Sequence, residues 1–146
     1  MMKLRYRRGD VCTQNIELLV TSLEYIESHI TEELKTVEIA KQCFCSKSTL
    51  EKLFRCVNSI SVQEYIKRRR MMLAAHTISS KPNISILSVA LECGYASHEA
   101  FARAFKEVWN CNPSQFRDER YFELYPKLKR PLSEGEIYMK QRKSVD

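Results

Sequence analysis

Six cysteines stand at positions 12, 43, 45, 56, 93 and 111, and thiols are the side chains of this sequence best suited to holding a metal or acting as nucleophiles. Their spacing argues against both roles. The one close pair, Cys43-Phe44-Cys45, lacks the C-x2-C interval of zinc sites and has no matching Cys/His pair elsewhere. Cys43, Cys56 and Cys93 fall within apolar helical patterns, where a thiol behaves as a small buried hydrophobe. No cysteine has the His, Glu or zinc-spacing company that would activate a thiolate. Paired carboxylates, a glycine-rich phosphate loop and a nucleophile elbow are all missing from the sequence. Reduced structural thiols, no catalytic residue, no metal and no cofactor are therefore expected.

The remaining chemistry is electrostatic. Across 146 residues, 24 Lys and Arg face 18 Asp and Glu, a net charge of +6. That balance suits an anionic partner, although a basic soluble protein without one would look the same. Lys67-Arg68-Arg69-Arg70 is the densest basic run. At about 100° per residue these four charges spread around a helix and cannot form one stripe. Most are expected to be solvated or paired, and a phosphate contact by one of them is left open. No run of about 18 apolar residues exists, so no membrane span is expected. The basic opening MMKLRYRRGD is followed by no signal-peptide apolar segment, which points to the cytoplasm.

The elements that carry these charges read as helices. With 44% hydrophobic residues, three glycines and four prolines, the chain has the composition of a helical protein with a real core. Residues 1–14 read as a basic N-terminal arm. Ile16, Leu19, Val20, Leu23, Ile26 and Ile30 then recur at helical spacing, with Glu17, Glu24 and Glu27 off that face. Thr36 is expected to cap a short helix through Val37, Ile39, Ala40 and Cys43. After a turn at Phe44-Cys45, Ser46 caps a third helix burying Leu50, Leu53, Phe54 and Val57. Ser61-Val62-Gln63-Glu64 is a capping box opening a long helix to about residue 80, with Tyr65, Ile66, Met72, Leu73 and Ile78 on its apolar face. Lys81-Pro82-Asn83 breaks the chain. Ile86, Leu87, Val89, Ala90 and Cys93 form the next stripe, Gly94 offers the positive φ that ends it, and Ser97 caps a helix burying Phe101, Ala104, Phe105 and Val108. Pro113 starts a last helix.

Two short helices joined by so brief a turn make a helix-turn-helix, and the chain makes it twice. Ser46 matches Ser97, Leu50 and Phe54 match Phe101 and Phe105, and Tyr65 matches Phe116, each pair 51 residues apart. Ala40 and Ala90 are 50 apart because the second turn is one residue longer. A repeat over this many buried and capping positions is not a chance match. The expected fold is all-α: two helix-turn-helix subdomains at 15–60 and 81–120, joined by a linker helix at 61–80. Phe54, Phe105, Trp109 and Phe116 sit at core spacing rather than as base-stacking aromatics.

The residues that carry this pattern resemble the DNA-binding region of AraC-family bacterial transcription regulators over roughly residues 15–120. They are Ile39-Ala40, Ser46-x3-Leu50-x2-Leu53-Phe54, Tyr65 with Arg70, and Ala90-x3-Gly94-Tyr95. The series continues as Ser97-x3-Phe101-x3-Phe105-Lys106 and Asn112-Pro113-x2-Phe116-Arg117. The glycine usual after each recognition helix is replaced by Ser59 and Asn110. The resemblance implies seven helices and double-stranded DNA as partner, with a recognition helix from Ser46 to about Val57 and another from Ser97 to about Trp109. The two would enter successive major grooves about 34 Å apart, so that one monomer reads an asymmetric site.

Positions matching the family's base-contact pattern are Ser48, Glu51 and Lys52 in the first recognition helix and His98, Glu99 and Arg103 in the second, with Ala102 beside them. Arg103 and Lys52 suit guanine O6 and N7, and the glutamates suit cytosine N4. Each glutamate reads equally well as a solvent-exposed helix residue, and His98 as a cap or phosphate contact. Lys47, Arg55 and Lys106, with the helix N-termini at Ser46 and Ser97, are assigned to phosphates. The resemblance further implies RNA polymerase as a partner and a nucleoid location. The tail 121–146, with Pro126 and Pro131, reads as a linker to a sensory or regulatory domain beyond Asp146. Two other readings remain: a basic helical protein-interaction module, and a fragment of a cysteine-dependent DNA-repair enzyme.

Overall fold

The computed structural model describes residues 8–119. The tail expected beyond residue 120 lies outside the described residues. Among the described residues seven helices run in order: α1 (Arg8–Ser28), α2 (Thr36–Gln42), α3 (Lys47–Asn58), α4 (Val62–Ser80), α5 (Ile86–Glu92), α6 (His98–Trp109) and α7 (Pro113–Glu119). Among the described residues there is no strand. α1 begins at Arg8, inside the stretch expected to be an arm, and ends at Ser28 rather than Ile30.

The apolar residues separate into two cores that meet on α4. Leu19, Leu23 and Ile26 of α1, Ile39 and Ala40 of α2 and Leu50 and Phe54 of α3 pack with Val62 and Ile66 at the start of α4. Met71, Ala74, Ala75 and Ile78 from the rest of α4 pack with Val89, Ala90, Phe101, Ala104, Phe105 and Phe116. One continuous helix therefore supplies a wall to each helix-turn-helix unit. Its inward methionine is Met71, fully buried, while Met72 is only half-buried. Arg69 is buried as well, so the buried face of α4 runs through Val62, Ile66, Arg69, Met71, Ala74, Ala75 and Ile78 and is not purely apolar.

The caps follow the serines. Ser46, Ser61, Ser85 and Ser97 each accept a hydrogen bond from the backbone N–H three residues on, at 3.1, 3.1, 3.1 and 3.2 Å. At Ser61 this is half of a capping box, because the Glu64 carboxylate turns instead to Arg68 and Lys67. Thr36 is not a cap. It is the first residue of α2, after Lys35, and is buried with its hydroxyl accepting from Gln63 Nε2 at 3.2 Å. Leu87 is 51% exposed, off the buried stripe of α5, and Cys56 is exposed on α3 rather than inside the first core.

Both recognition helices end alike. Ser59 and Asn110 each adopt φ 59° and ψ 15°, donating back to Arg55 O and Lys106 O. Asn visits this left-handed region readily, whereas Ser carries a penalty of about 1–2 kcal/mol, partly offset by the chain entropy a glycine loses on folding. Ser59→Gly is accordingly expected to stabilise the protein by about 0.5–1 kcal/mol, and Asn110→Gly by less. Urea denaturation of the two variants side by side checks the ranking.

Candidate nucleic-acid interface

Repeat symmetry superposes the two recognition helices residue by residue. At an offset of 51, Lys47 falls on His98, Ser48 on Glu99, Glu51 on Ala102, Lys52 on Arg103 and Arg55 on Lys106. Each helix has 12 residues, about 18 Å of length. In α3 the buried or half-buried positions 50, 53, 54 and 57 occupy one side, and 48, 52 and 55 lie exposed on the opposite side. In α6, positions 101, 104 and 105 are buried, and Glu99, Arg103 and Lys106 are exposed across the helix from them. Two exposed faces thus carry Lys47, Lys52 and Arg55 on one unit and Arg103 and Lys106 on the other.

Among the residues expected to meet bases, Ser48, Lys52, His98, Glu99 and Arg103 are exposed. Glu51 is different. It is half-buried, and its Oε2 accepts from Val62 N at a long 3.4 Å, over the start of α4. A carboxylate there stabilises the positive end of that helix, which draws Glu51 away from the exposed face. Of the residues assigned to phosphates, Ser46, Lys47, Arg55 and Lys106 are exposed and Ser97 half-buried. The two serine hydroxyls cap the third amide of their helices, which leaves the first amides of each helix without an intrahelical partner.

Each residue of the basic run of α4 is partnered within the protein, and only Arg69 is buried. Lys67 Nζ lies 3.2 Å from Glu64 and 2.7 Å from Glu107, and Arg68 Nε lies 2.9 Å from Glu64. Arg69, 6% exposed, forks onto both carboxylate oxygens of Glu27 in α1, at 2.5 and 2.8 Å. Arg70 Nε donates to Ile30 O at 2.8 Å and its terminal nitrogen to Glu32 O. The pairs with Glu64 are the i,i+3 and i,i+4 kind that helical spacing foretells, whereas the contacts with Glu107, Glu27, Ile30 and Glu32 join residues about forty apart, which no local pattern foretells. Beside them, burial pushes the Tyr65 hydroxyl up to about 12, and it stays neutral across the ordinary pH range.

The aromatic residues behave as core. Phe54, Phe105 and Phe116 are 0, 0 and 1% exposed. Trp109 is half-buried, and its indole N–H donates to Met71 O at 3.1 Å, which fastens α6 to α4. Burial raises the thiols of Cys43, Cys45 and Cys93, the last to about 11, which makes them poor thiolates. Among the described residues no group of three or more His, Cys, Asp or Glu is placed to hold a metal. Sequence reasoning missed the bonds from Gln63 to Leu34 O at 3.0 Å and to Thr36, which tie α4 to the start of α2. The turn expected at Phe44-Cys45 is present, with Phe44 98% exposed at φ 55° where the second unit has Gly94.

A family described as a helix-turn-helix domain matches residues 39–119, more than half of the chain. The regulatory protein SoxS of Salmonella typhimurium is 33% identical over 101 residues, covering 69% of this chain and 94% of that protein. A putative HTH-type transcriptional regulator of Escherichia coli, YkgA, is 30% identical over 108 residues, 74% of this chain but 45% of its own length. The chain thus spans nearly all of one relative and under half of the other. Among solved structures, an AraC-type DNA-binding regulator from Chromobacterium violaceum superposes with a TM-score of 0.65 at 26% identity, over 71% of this chain and 92% of that one. The DNA-binding domain of AdpA, solved in complex with a target DNA, shares the fold with a TM-score of 0.62 at 21% identity, over 75% and 96%.

Proposed function

Since the chain belongs to the AraC-type family of helix-turn-helix transcription regulators, we propose that it reads its DNA target with Lys52 and Arg103 as the principal base contacts, one from each unit. Ser48, His98 and Glu99 complete the base-facing set. Lys47, Arg55 and Lys106, with the helix starts at Ser46 and Ser97, hold phosphates. The single observation that carries this reading is the duplication: two helices with the same serine cap and the same left-handed exit each present a basic face opposite a buried one. Glu51 is demoted to a supporting place, since its carboxylate leans over the start of α4.

Arg103 and Lys52 occupy equivalent positions, yet they differ chemically. The Arg103 guanidinium can donate two parallel hydrogen bonds to guanine O6 and N7, whereas the Lys52 ammonium is a point charge. Sharper discrimination is expected in the half of the site under α6. RNA polymerase is the protein partner that regulation of transcription implies. DNA binding would place the protein on the nucleoid, and no described helix is long and apolar enough to cross a membrane.

The test separates reading from holding. Arg103→Ala is expected to lower the preference at one position by about 1–3 kcal/mol while leaving nonspecific affinity nearly intact. Lys106→Ala should weaken all duplexes alike and reduce the slope of log affinity against log salt by about one. Titration of a matched and a mismatched duplex at several salt concentrations distinguishes the two. Equal loss for both variants on both duplexes would remove Arg103 from the base contacts. Binding that ignores salt would instead favour the protein-interaction module.

A further inference from the structure

We propose that the junction between the two units, formed by Arg70, Gly94 and the chain at Thr31, sets the separation and rotation of the recognition helices and thereby the spacer length the protein accepts between its two half-sites. This inference rests on the two-site reading given above. It concerns residues that need not touch DNA.

A shared helix is not by itself a rigid coupling. Each unit packs on its own half of α4, and the two cores do not merge. Clefts open on either side of the midpoint. One, of about 600 Å³, is lined by Ile30, Leu73, Leu91 and Cys93, and the other, of about 370 Å³, by Ser61, Gln63, Lys67 and Tyr95. Arg70 lines both, so it occupies the bridge between them.

At that bridge the contacts are specific. The Arg70 guanidinium binds the Ile30 and Glu32 carbonyls, which lie just past the end of α1. The turn of the second unit rests on the same place. A Cβ added at Gly94 would stand 2.9 Å from Thr31 O and 3.5 Å from Arg70 Cζ. Backbone of one unit therefore meets backbone of the other, with the guanidinium filling the corner.

The repeat supplies an internal control. Gly94 has φ 80°, and Phe44, in the corresponding turn of the first unit, has φ 55°. Both turns make the same bond, Cys45 N to Ala40 O at 3.0 Å and Tyr95 N to Ala90 O at 2.9 Å. Phe44 nevertheless carries a full aromatic side chain, because that turn points to solvent. The turn shape tolerates a side chain; the contact with Thr31 does not. Gly94 is thus required by the neighbouring unit as well as by its own φ.

One base pair added to a spacer moves the second half-site by about 3.4 Å and turns it by about 34°. A rigid pair of recognition helices cannot follow both changes, whereas a pair hinged about α4 can. The experiment uses the full chain with both half-sites fixed and the spacer varied one base pair at a time. For the wild-type protein one spacer should be preferred, with about tenfold or greater loss on either side, since two linked sites reinforce each other only where geometry allows both to be engaged. Arg70→Met keeps the aliphatic stem and removes the donors. It should flatten the profile, with the loss at one base pair reduced to about threefold or less, while each half-site keeps its base preference. Gly94→Ala should shift or flatten the same profile, and Phe44→Ala should leave it unchanged. If Gly94→Ala does not fold, Arg70→Lys, whose ammonium lacks the planar fork that holds the two carbonyls through separate nitrogens, gives the second reading. An Arg70→Met protein with native helix content and the wild-type spacer profile would overturn the proposal. A wild-type protein that protects only one half-site would overturn the two-site reading itself, and the junction's role with it.

Discussion

Phe105→Ala is expected to destabilise the protein by about 3–5 kcal/mol and to melt the second helix-turn-helix unit first. Phe105 is fully buried, with its ring 5.8 Å from Phe101, 6.2 Å from Trp109 and 5.4 Å, edge-on, from Phe116. Truncation removes the centre of that aromatic cluster, and three rings on two helices cannot all collapse into the space. The loss is a large fraction of the whole stability of a small domain, about 5–15 kcal/mol. Because the first core shares none of these residues, helix content should fall only in part. Trp109 is the one tryptophan of the chain and touches the site of truncation, so its fluorescence reports the second unit directly. Urea titration followed by both fluorescence and circular dichroism should show the fluorescence midpoint moving first. A shift in stability below about 1 kcal/mol would contradict the central place given to this ring.

Glu27→Ala is the second large effect, about 3 kcal/mol. The Glu27 carboxylate holds Arg69 through two parallel bonds, and the Arg69 side chain is only 7% exposed. Removing the acid leaves a buried guanidinium whose other contact is a weak one, to the Met72 sulfur at 3.7 Å. The estimate sits at the low end of the usual range for breaking a buried pair because Glu27 itself is 32% exposed, so water reaches the pair from one side. Replacing both partners tests the assignment. Glu27→Leu with Arg69→Met should return most of the lost stability, since two apolar side chains fill the same space with no charge to desolvate. If the double variant is as unstable as Glu27→Ala, the pair is not the source of the loss. Thermal melting of the three proteins at one pH settles the comparison.

These two sites also mark what the sequence reveals and what it conceals. Phe105 was legible because a buried aromatic keeps its place in a periodic pattern, and the repeat placed it opposite Phe54. The serine caps at 46, 61 and 97 were legible for the same local reason. Arg69 was not. In sequence it is one of four adjacent basic residues, and its partner lies 42 residues away. Periodicity assigns a charged residue to the surface, and only the tertiary fold shows that α1 brings a carboxylate to meet it. Thr36 misled because hydroxyls cap helices so often; here the hydroxyl serves Gln63 instead. Cys56 misled because a thiol within an apolar run looks buried, yet it falls on the exposed side of α3.

The interface shows the same division. Which residues of α3 and α6 lie exposed follows from the helical period, and the repeat aligns Lys52 with Arg103 and Arg55 with Lys106. Glu51 shares that pattern but is half-buried, because the start of α4 offers its carboxylate an amide eleven residues on. Gly94 is legible as a turn residue, but the backbone of Thr31 packed against it belongs to the other unit. Local signals therefore give the reading helices. The contacts that orient them come from distant parts of the chain.

Selection of bound duplexes from a random pool tests the central claim most directly. The expected product is an enriched asymmetric motif made of two blocks about one helical turn apart, 10–10.5 base pairs from centre to centre, with the sharper block under Arg103. Recovery of a single block, of a palindrome, or of no motif despite tight binding would contradict it.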